Sequence, residues 1–461
     1  MPAPSACWRC VLKPSCNPWR RGWNKDRDMT ASALDALLSA ATGWQARAPR
    51  LLAAKADALP VSCELAVIGA GLTGLSAALT AAEAGCSVVV LEADAVGGGA
   101  TGRNSGFVVP VPARCGPPEL RAWLGPQAEG YLAGLSEAAA ELLALPEASP
   151  VRKGWMQLFS APGSAQASAL AWRRLGVRAR ALDAEQAQTL TAAAGYHGGL
   201  LFEDGGQIDP LALARGLAER CRQRGVILLE RCPAKLVERE SRDGMHVIRT
   251  PRGSLRAGRV LMAGNAYSRD GIAAVARHSV PLTLALGQFE LSAEQQARVL
   301  PADIPFSDNR RDMWFFRKMP EGQLLTGLFA LRPDAETEQY AAALRQRVRT
   351  VFGMELDAAP RLWAGQVGLT PSGLPSLQRV GDGVLAWTGC NGRGLALSFM
   401  LGRTLARQLI GAGPALLPFN PRPLRGRALL KWMTEAVIAH DRRRRARLTP
   451  AEPRSPKEAT T

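Results

Sequence analysis

The stretch that decides the fold is residues 65–92, which read LAVI-GAGLTG-LSAALTAAEAGC-SVVVLE. A short apolar run precedes Gly69-Ala70-Gly71-Leu72-Thr73-Gly74, a segment with helical spacing follows, and a second apolar run ends at Glu92. This strand–turn–helix–strand order is typical of a dinucleotide-binding unit. Its three glycines allow a tight turn, close approach of the backbone to a pyrophosphate, and close packing of helix on strand. The sequence therefore predicts an α/β fold with a Rossmann-like domain.

The two ends of this unit carry the predicted binding groups. The helix begins at the glycine turn, where unpaired N–H groups and the positive end of the helix dipole attract phosphate. Glu92 is placed to accept hydrogen bonds from ribose hydroxyls, and its charge disfavours a ligand with a 2′-phosphate. We expect residues 69–74 and Glu92 to bind the adenosine half of a dinucleotide.

A glycine-rich loop follows directly, with five glycines between residues 97 and 106. Such a loop can lay its backbone against a flat or phosphorylated ligand, although an ordinary flexible loop has the same composition. Its position after the dinucleotide unit favours a binding role. Arg103 adds a fixed positive charge for a pyrophosphate or a substrate. The candidate cofactor residues here are Ala100, Thr101, Gly102, Arg103, Asn104 and Ser105.

A strand, a glycine turn and a helix recur more than three hundred residues later, in residues 384–410. An enzyme that uses NAD alone does not need a second helix start of this kind, whereas a flavin does. Positive potential from a helix N-terminus stabilises the anionic reduced flavin ring. The sequence therefore predicts FAD, with these further contact residues: Gly389, Asn391, Gly392, Arg393, Gly394 and Leu395.

Composition limits the alternatives. The chain has 461 residues, 21% of them charged, which fits a globular enzyme of two closely joined domains. A formal net charge of +17 is compatible with anionic lipid, nucleic acid or acidic substrates and does not choose among them. Nine scattered cysteines suit a reducing compartment, so we expect a cytoplasmic protein. No apolar run reaches the length of a membrane span, and no ligand spacing predicts a metal.

The order of patterns predicts a discontinuous organisation. The dinucleotide domain takes residues 61–150, 200–280 and 360–415, and an inserted substrate domain with an antiparallel sheet takes residues 151–199 and 281–359. Residues 1–60 form an N-terminal extension, of which 1–28 are expected to be disordered. Residues 416–461 form a helix and a basic tail, for which we consider contact with an anionic membrane and a plain solvated helix end.

Several motifs together resemble the FAD-dependent amine and amino-acid oxidoreductases related to D-amino-acid, glycine and sarcosine oxidases. The motifs are Gly69 to Gly74 with Glu92, Gly102-Arg103-Asn104, Ile208-Asp209-Pro210, Asn265-Ala266-Tyr267, Trp363-Ala364-Gly365 and Gly389 to Gly394. The loop and Asn-Ala-Tyr look most similar to the γ-glutamylputrescine oxidase branch. The resemblance implies a glutathione-reductase-like FAD domain, in which the loop and the C-terminal glycine turn embrace the flavin. It also implies a backbone contact to adenine near Ala234.

The resemblance also bears on the substrate. Amino-acid-oxidising members place an arginine shortly after Trp-x-Gly to bind the substrate carboxylate, whereas this chain has Gln366-Val367-Gly368. It therefore favours oxidation of a primary or secondary amine by hydride transfer to flavin N5, giving an imine that hydrolyses, with oxygen or an electron carrier as acceptor. An amino-acid oxidase and a quinone-linked dehydrogenase are the alternatives. No histidine lies in a flavin motif, which predicts non-covalent FAD.

Side chains that touch the substrate are harder to choose. An apolar pocket favours the neutral amine, and Tyr267, Trp314 and Phe316 are candidate walls, with plain core packing as the alternative for each. Arg317 is a candidate anchor for an acidic end of the substrate, or else a solvated arginine at a strand edge. An RNA-associated flavoprotein is the hypothesis of another class. It is disfavoured because no basic and aromatic residues alternate as in RNA-binding motifs.

Overall fold

The structure is a computed structural model that describes residues 32–45, 47, 58–151, 153–239, 244–268, 273–413, 417–419 and 422–446. Residues 1–28, for which disorder is predicted, and the basic tail beyond residue 446 lie outside this set. Within it, no helix combines the length and the apolar composition that crossing a bilayer requires. The six cysteines that it contains are free thiols.

Eight of the described strands form a mostly parallel sheet, in the order β17-β18-β11-β1-β2-β8. The five strands from β18 to β8 are parallel, β17 is an antiparallel edge strand, and β9 and β10 extend antiparallel from β11. The strands are β1 (Ser62–Ile68), β2 (Val88–Leu91), β8 (Ile227–Leu229), β9 (Lys235–Arg239), β10 (His246–Thr250), β11 (Gly253–Met262), β17 (Ser376–Gly381) and β18 (Val384–Thr388).

Burial on both faces explains why the strands of this parallel sheet are continuous apolar runs. Leu65 and Val67 point into one core, whereas Ala66 and Ile68 point into another on the opposite face. The predicted Rossmann-like unit is confirmed, because β1 and β2 pair in parallel and the helix Leu72–Glu83 connects them along the chain.

Eight further strands form a mostly antiparallel sheet, in the order β16-β12-β15-β14-β13-β4-β6-β5, with only β13 and β4 parallel among its described pairs. These strands are β4 (Trp155–Leu158), β5 (Ala179–Leu182), β6 (Gly199–Phe202), β12 (Val280–Phe289), β13 (Phe306–Asp308), β14 (Phe315–Lys318), β15 (Leu324–Phe329) and β16 (Arg361–Leu369). A short pair consists of β3 (Phe107–Val108) and β7 (Gly206–Gln207).

The α-helices of the described residues cover both sheets. They are α1 (Ala33–Ser39), α2 (Leu72–Glu83), α3 (Pro117–Leu124), α4 (Gln127–Leu142), α5 (Ala165–Arg173), α6 (Ala184–Thr191), α7 (Pro210–Gln223), α8 (Ala273–Ala276), α9 (Ala293–Arg298), α10 (Thr337–Phe352), α11 (Leu395–Leu409) and α12 (Arg427–Ala446). Single 3₁₀ turns form at Ala100–Arg103, Pro146–Ala148 and Asn265–Tyr267.

Two segments differ from the expected division. The strand β16, predicted within the dinucleotide domain, pairs with β12 along its whole length and so belongs to the antiparallel sheet. The segment before residue 60 also contributes to the core, since Trp44 is fully buried.

Candidate functional site

The two glycine turns lie at the same edge of the parallel sheet. Both β1 and β18 pair in parallel with β11. In these two pairings, Ile68 of β1 and Ala386 of β18 both lie opposite Met262 of β11. The carboxyl ends of parallel strands share one edge, where open α/β sheets bind their ligands. Consequently α2, which follows β1, and α11, which follows β18, both begin at this edge. Only β11 lies between β1 and β18 in the sheet.

The first turn has the backbone geometry that its glycines predict. Gly69 has a φ of +108°, and a Cβ on Gly74 would lie 1.9 Å from the Gly69 carbonyl oxygen. Gly71 is the N-cap of α2 and has no side chain of its own to cap the helix. The start of α2 therefore presents backbone N–H groups and the positive dipole end that a pyrophosphate requires.

Glu92 is held at the end of β2 by two backbone N–H groups. Its Oε2 accepts from Ala70 at 2.7 Å, and its Oε1 accepts from Asp94 at 2.9 Å. Burial raises the pKa of this carboxyl, while the two N–H groups act in the opposite direction. The next strand lies alongside, because Cys232 donates its N–H to the Glu92 carbonyl oxygen; Ala234 follows and is partly buried. The ribose and adenine contacts remain predictions.

Two side chains shape the glycine-rich loop from within. Thr101 Oγ1 accepts from the Leu72 N–H at 3.0 Å, which ties the loop to the start of α2. Asn104 Nδ2 donates to the carbonyls of Ala100 and Thr101, and its Oδ1 accepts from the Gly106 N–H at 2.7 Å. The polar residues of this motif therefore fix the loop backbone.

The prediction that Arg103 presents a charge to a pyrophosphate or a substrate is wrong. Its guanidinium donates to the carbonyl oxygens of Gly98 at 3.0 Å, Ala364 at 3.0 Å and Ala40 at 3.1 Å. These carbonyls belong to the loop itself, to β16 and to the end of α1. Because its donors are engaged by main-chain oxygens, Arg103 fastens the loop to the antiparallel sheet.

Three further side chains hold consecutive carbonyls of the loop. Trp363 Nε1 donates to the Arg103 carbonyl at 3.2 Å, and Trp44 Nε1 donates to the Asn104 carbonyl at 3.0 Å. Arg317 Nη1 donates to the Ser105 carbonyl at 2.9 Å. Sequence reasoning did not assign Trp44 any role, because it lies in the segment interpreted as an extension.

Arg317 is buried and does not lie at a solvated strand edge. Its Nη1 also donates to the Ile208 carbonyl at 2.8 Å, immediately before α7, and its guanidinium lies 5.0 Å from the centre of the Trp44 ring. Burial lowers the pKa of Arg317 to about 9, and Asp209 partly offsets that shift. A Cβ on Gly106 would lie 2.2 Å from Nη1, so only glycine fits beside it. The predicted anchor for substrate is therefore a structural tie between the loop and α7.

The second glycine turn is pinned to the end of β16. Gly389 has a φ of +91° and Asn391 a φ of +53°. The Asn391 N–H donates to Gly368, its Oδ1 accepts from Thr370, and its Nδ2 donates to the Gly389 carbonyl. By contrast, a Cβ on Gly392 would meet no atom within 4 Å, so this side of the turn is open.

Asn265 links this turn to the end of β11, a role that sequence reasoning missed. Its Oδ1 accepts from the Gly389 N–H at 2.9 Å and from Thr388 Oγ1 at 3.3 Å, and its own φ is +45°. The signal was available in the Asn-Ala-Tyr motif, since asparagine tolerates the left-handed region better than most residues.

Two predicted contact residues at this end have different surroundings. Leu395 begins α11 behind the uncapped N-cap Gly394, as a flavin-facing helix start requires. Arg393 instead points toward the antiparallel sheet, where its Nη1 donates to the Pro112 carbonyl at 2.7 Å and its guanidinium lies 4.6 Å from the Trp155 ring centre. Burial lowers the pKa of Arg393 to about 9.

Tyr267 lies where the glycine-rich loop meets β16. Its hydroxyl accepts from the Gln366 N–H at 3.0 Å, and its ring lies 3.7 Å from the position of a Cβ on Gly99. Tyr267 is half-buried, which suits a wall of a ligand cleft. Beside it, Gln366 Oε1 is buried and has no hydrogen-bond partner among the described residues.

The structure does not bring the other two candidate walls to Tyr267. The Trp314 ring packs between the guanidinium groups of Arg310, at 4.3 Å, and Arg347, at 5.1 Å. Phe316 is fully buried in the core that α10 covers and contacts Phe352, with ring centres 5.1 Å apart. Strand alternation places Phe315 instead of Phe316 on the loop side, where it contacts Phe107.

These residues fit an elongated dinucleotide. Two helix N-termini with glycine as the N-cap residue share one sheet edge, the carboxyl of Glu92 lies at the end of β2, and the turn at Gly392 leaves open space. The first helix suits the pyrophosphate and the second suits an electron-rich ring.

Comparison with known proteins agrees with this geometry. The family model described as FAD dependent oxidoreductase matches residues 64–408. Gamma-glutamylputrescine oxidoreductase of Escherichia coli is 30% identical over 387 residues, covering 79% of this chain and 88% of that protein. Probable oxidoreductase OrdL of Rhizobium meliloti is 26% identical, covering 77% and 84%. The structure of glycine oxidase from Geobacillus kaustophilus matches with a TM-score of 0.63 at 19% identity, covering 80% of this chain and all of that one. The chain belongs to the family of FAD-dependent oxidoreductases.

Proposed function

We propose that this protein oxidises the C–N bond of a primary or secondary amine and not that of an α-amino acid. The observation that carries the proposal is the chemistry of β16 beside Tyr267, where residues 366–368 provide no cation. The two nearby arginines, Arg103 and Arg317, donate to main-chain carbonyls. A substrate carboxylate needs a guanidinium or ammonium partner when it is desolvated, whereas an amine does not.

The residues proposed to hold FAD contribute mainly backbone groups. When bound, FAD accepts the hydride from the substrate carbon. The start of α2 receives the pyrophosphate, Glu92 the ribose, and the start of α11 the flavin ring. The proposed contact residues are Gly69, Ala70, Gly71, Leu72, Thr73, Gly74, Glu92, Ala100, Thr101, Gly102, Asn104, Ser105, Ala234, Gly389, Asn391, Gly392, Gly394 and Leu395.

Gln366 and Tyr267 are proposed to orient the amine. The unpartnered Gln366 Oε1 accepts an N–H of the substrate, and the backbone N–H of the same residue fixes the Tyr267 hydroxyl. Because Gln366 Oε1 is buried, an amine bound to it is desolvated. Desolvation favours the neutral amine, which is the form that can lose a hydride from its carbon. Loss of the N–H proton to solvent leaves an imine, which water hydrolyses.

An anaerobic titration tests this proposal. The FAD-loaded protein is mixed with γ-glutamylputrescine, putrescine, a secondary alkylamine, glycine and sarcosine, and flavin absorbance is followed. We expect at least one amine to bleach the flavin much faster than glycine and sarcosine do. Faster bleaching by glycine or sarcosine would contradict the amine assignment. Readmitting air, or adding a quinone, then identifies the electron acceptor by the rate at which the colour returns.

A matched pair of variants tests the role of Gln366. Gln366→Leu removes the acceptor while keeping a similar volume, and we expect kcat/KM for the amine to fall about tenfold, the equivalent of one hydrogen bond. Gln346→Leu, on the exposed face of α10, is the control and should leave kcat/KM unchanged. Equal kcat/KM for Gln366→Leu and the wild type would remove Gln366 from the site.

A further inference from the structure

We infer that α12 is a docking surface for an anionic membrane. Four large apolar side chains on this helix are exposed, namely Leu429 (59%), Trp432 (64%), Met433 (50%) and Val437 (52%). They follow one another at intervals of three, one and four residues, which places them on one face of the helix. The other large exposed apolar side chains of the described residues are scattered singly over four different segments: Val61, Trp123, Leu170 and Val380.

The opposite face of α12 is fixed to the antiparallel sheet. Ile438 is buried against a cluster that includes Phe329, and Leu430 packs at its edge. Arg442 donates through both Nε and Nη2 to Asp312, at 2.9 Å for each bond. The exposed stripe is therefore presented on a rigid support.

Positive charge flanks the stripe at both ends. Arg422 and Arg425 precede α12, Arg443 and Arg444 lie near its end, and none of these exposed side chains pairs with an acidic group among the described residues. The acids of the helix are engaged, since Glu435 pairs with Lys431 and Asp441 accepts from the Asp312 N–H. Arginines beside an apolar stripe with a tryptophan are the features of an interfacial helix on anionic lipid.

Charge complementarity selects lipid over a second copy of the chain. Two-fold pairing through this stripe would place an arginine-flanked face against itself, so that like charges would meet. An anionic bilayer instead accepts the apolar side chains among its acyl chains and the arginines among its headgroups. This inference does not depend on the identity of the amine.

Vesicle cosedimentation of the FAD-loaded full-length protein tests the inference. The vesicles are phosphatidylcholine alone, or phosphatidylcholine with about one part in four of phosphatidylglycerol, in about 0.1 M salt. We expect binding to the anionic vesicles that falls when the salt is raised to about 0.5 M, and much weaker binding to phosphatidylcholine alone. Equal binding to both vesicles, or no binding to either, would overturn the inference.

Matched variants locate the surface. Trp432→Glu should weaken vesicle binding about tenfold or more, because an exposed indole can no longer enter the interface, whereas Trp123→Glu, at a tryptophan on α3 that is 63% exposed, should not. Arg443→Glu with Arg444→Glu should weaken binding, and Arg173→Glu with Arg174→Glu should not. Unchanged FAD content and unfolding midpoints confirm that each variant is folded. If Trp432→Glu binds vesicles like the wild type, or instead abolishes a dimer seen by sedimentation velocity, the surface does not bind lipid.

Discussion

Replacing Asn265 by alanine is expected to loosen the second glycine turn and to weaken FAD binding. Asn265 Oδ1 is the acceptor for the buried Gly389 N–H at 2.9 Å, at the point where β18 gives way to the turn. Thr388 Oγ1 keeps a second partner, Ser279 Oγ at 2.7 Å, so the change leaves mainly the Gly389 N–H unsatisfied.

The magnitude follows from two costs. An unsatisfied buried N–H costs about 1–3 kcal/mol. Alanine at the Asn265 φ of +45° adds up to about 1 kcal/mol, because it keeps the strained Cβ and lacks the polar side chain that lets asparagine tolerate the left-handed region. Together they predict that Asn265→Ala lowers the free energy of unfolding by about 1–4 kcal/mol. Asn265→Gly removes only the hydrogen bond, since glycine adopts this φ freely, and should cost about 1–3 kcal/mol.

Urea unfolding of the FAD-free protein measures the first effect, and flavin fluorescence measures the FAD Kd. If the about 1–3 kcal/mol lost with this hydrogen bond is the cost of ordering the turn when FAD binds, the Kd for FAD rises about 5- to 150-fold. An Asn265→Ala protein within about 0.5 kcal/mol of the wild type, with an unchanged Kd, would refute the reasoning. So would an Asn265→Gly protein less stable than Asn265→Ala.

Four other substitutions probe separate parts of the structure. Gly74→Ala should abolish FAD binding, because its Cβ would lie 1.9 Å from a backbone oxygen; FAD content measures this. Its control, Gly130→Ala, adds a Cβ in open space on α4 and should stabilise the fold by about 0.5–1 kcal/mol, as measured by thermal unfolding. Asp312→Asn should cost about 3–5 kcal/mol at pH 7, because it breaks a buried ion pair with Arg347. Burial raises the pKa of Asp312, but Arg347 and Arg442 outweigh it, so that the pKa lies below its usual value. The stability that the ionised Asp312 adds is therefore present above about pH 4 and is lost as the pH falls through the lowered pKa. Urea unfolding of wild type and Asp312→Asn should therefore converge at low pH, and a constant difference would contradict this. Gln366→Arg should raise the ratio of kcat/KM for glycine to that for the amine about tenfold or more, as measured by flavin bleaching, and an unchanged ratio would place residue 366 outside the pocket.

The sequence was most informative where function depends on backbone geometry. Gly69 and Gly74 are predictable because no other residue fits the turn, and the apolar run of β2 is predictable because both of its faces are buried. The FAD-binding α/β fold, the antiparallel sheet and the family are therefore all predictable from the sequence. Residues 361–369 were predicted within the dinucleotide domain, whereas β16 pairs with β12 of the antiparallel sheet, because a run of small and apolar residues does not indicate which neighbour a strand pairs with.

Side-chain roles were predicted less well, because they depend on partners far away in the chain. Arg103 was expected to meet a ligand, yet it meets carbonyls that lie sixty residues earlier and more than two hundred and sixty residues later in the sequence. Trp314 and Phe316 were predicted to line the cleft because they are aromatic residues of a strand. The alternation of side chains along the strand and the packing of α10 instead direct them away from the cleft. Nothing local to residue 44 indicates that Trp44 holds a carbonyl of the glycine-rich loop.

The second half of the glycine-rich loop, from Arg103 onward, shows why these long-range partners matter for the chemistry. The carbonyls of Arg103, Asn104 and Ser105 are each held by a different donor, from Trp363, Trp44 and Arg317 respectively. A loop rich in glycine would otherwise lose much conformational entropy on binding its ligand, and that loss would weaken the complex. Because three separate segments hold the backbone in place, folding of the protein supplies the order that the cofactor would otherwise have to impose. The positive charges of Arg103 and Arg317 are thereby used to fix the loop, and this use of the two arginines is part of the reason for proposing an amine as the substrate.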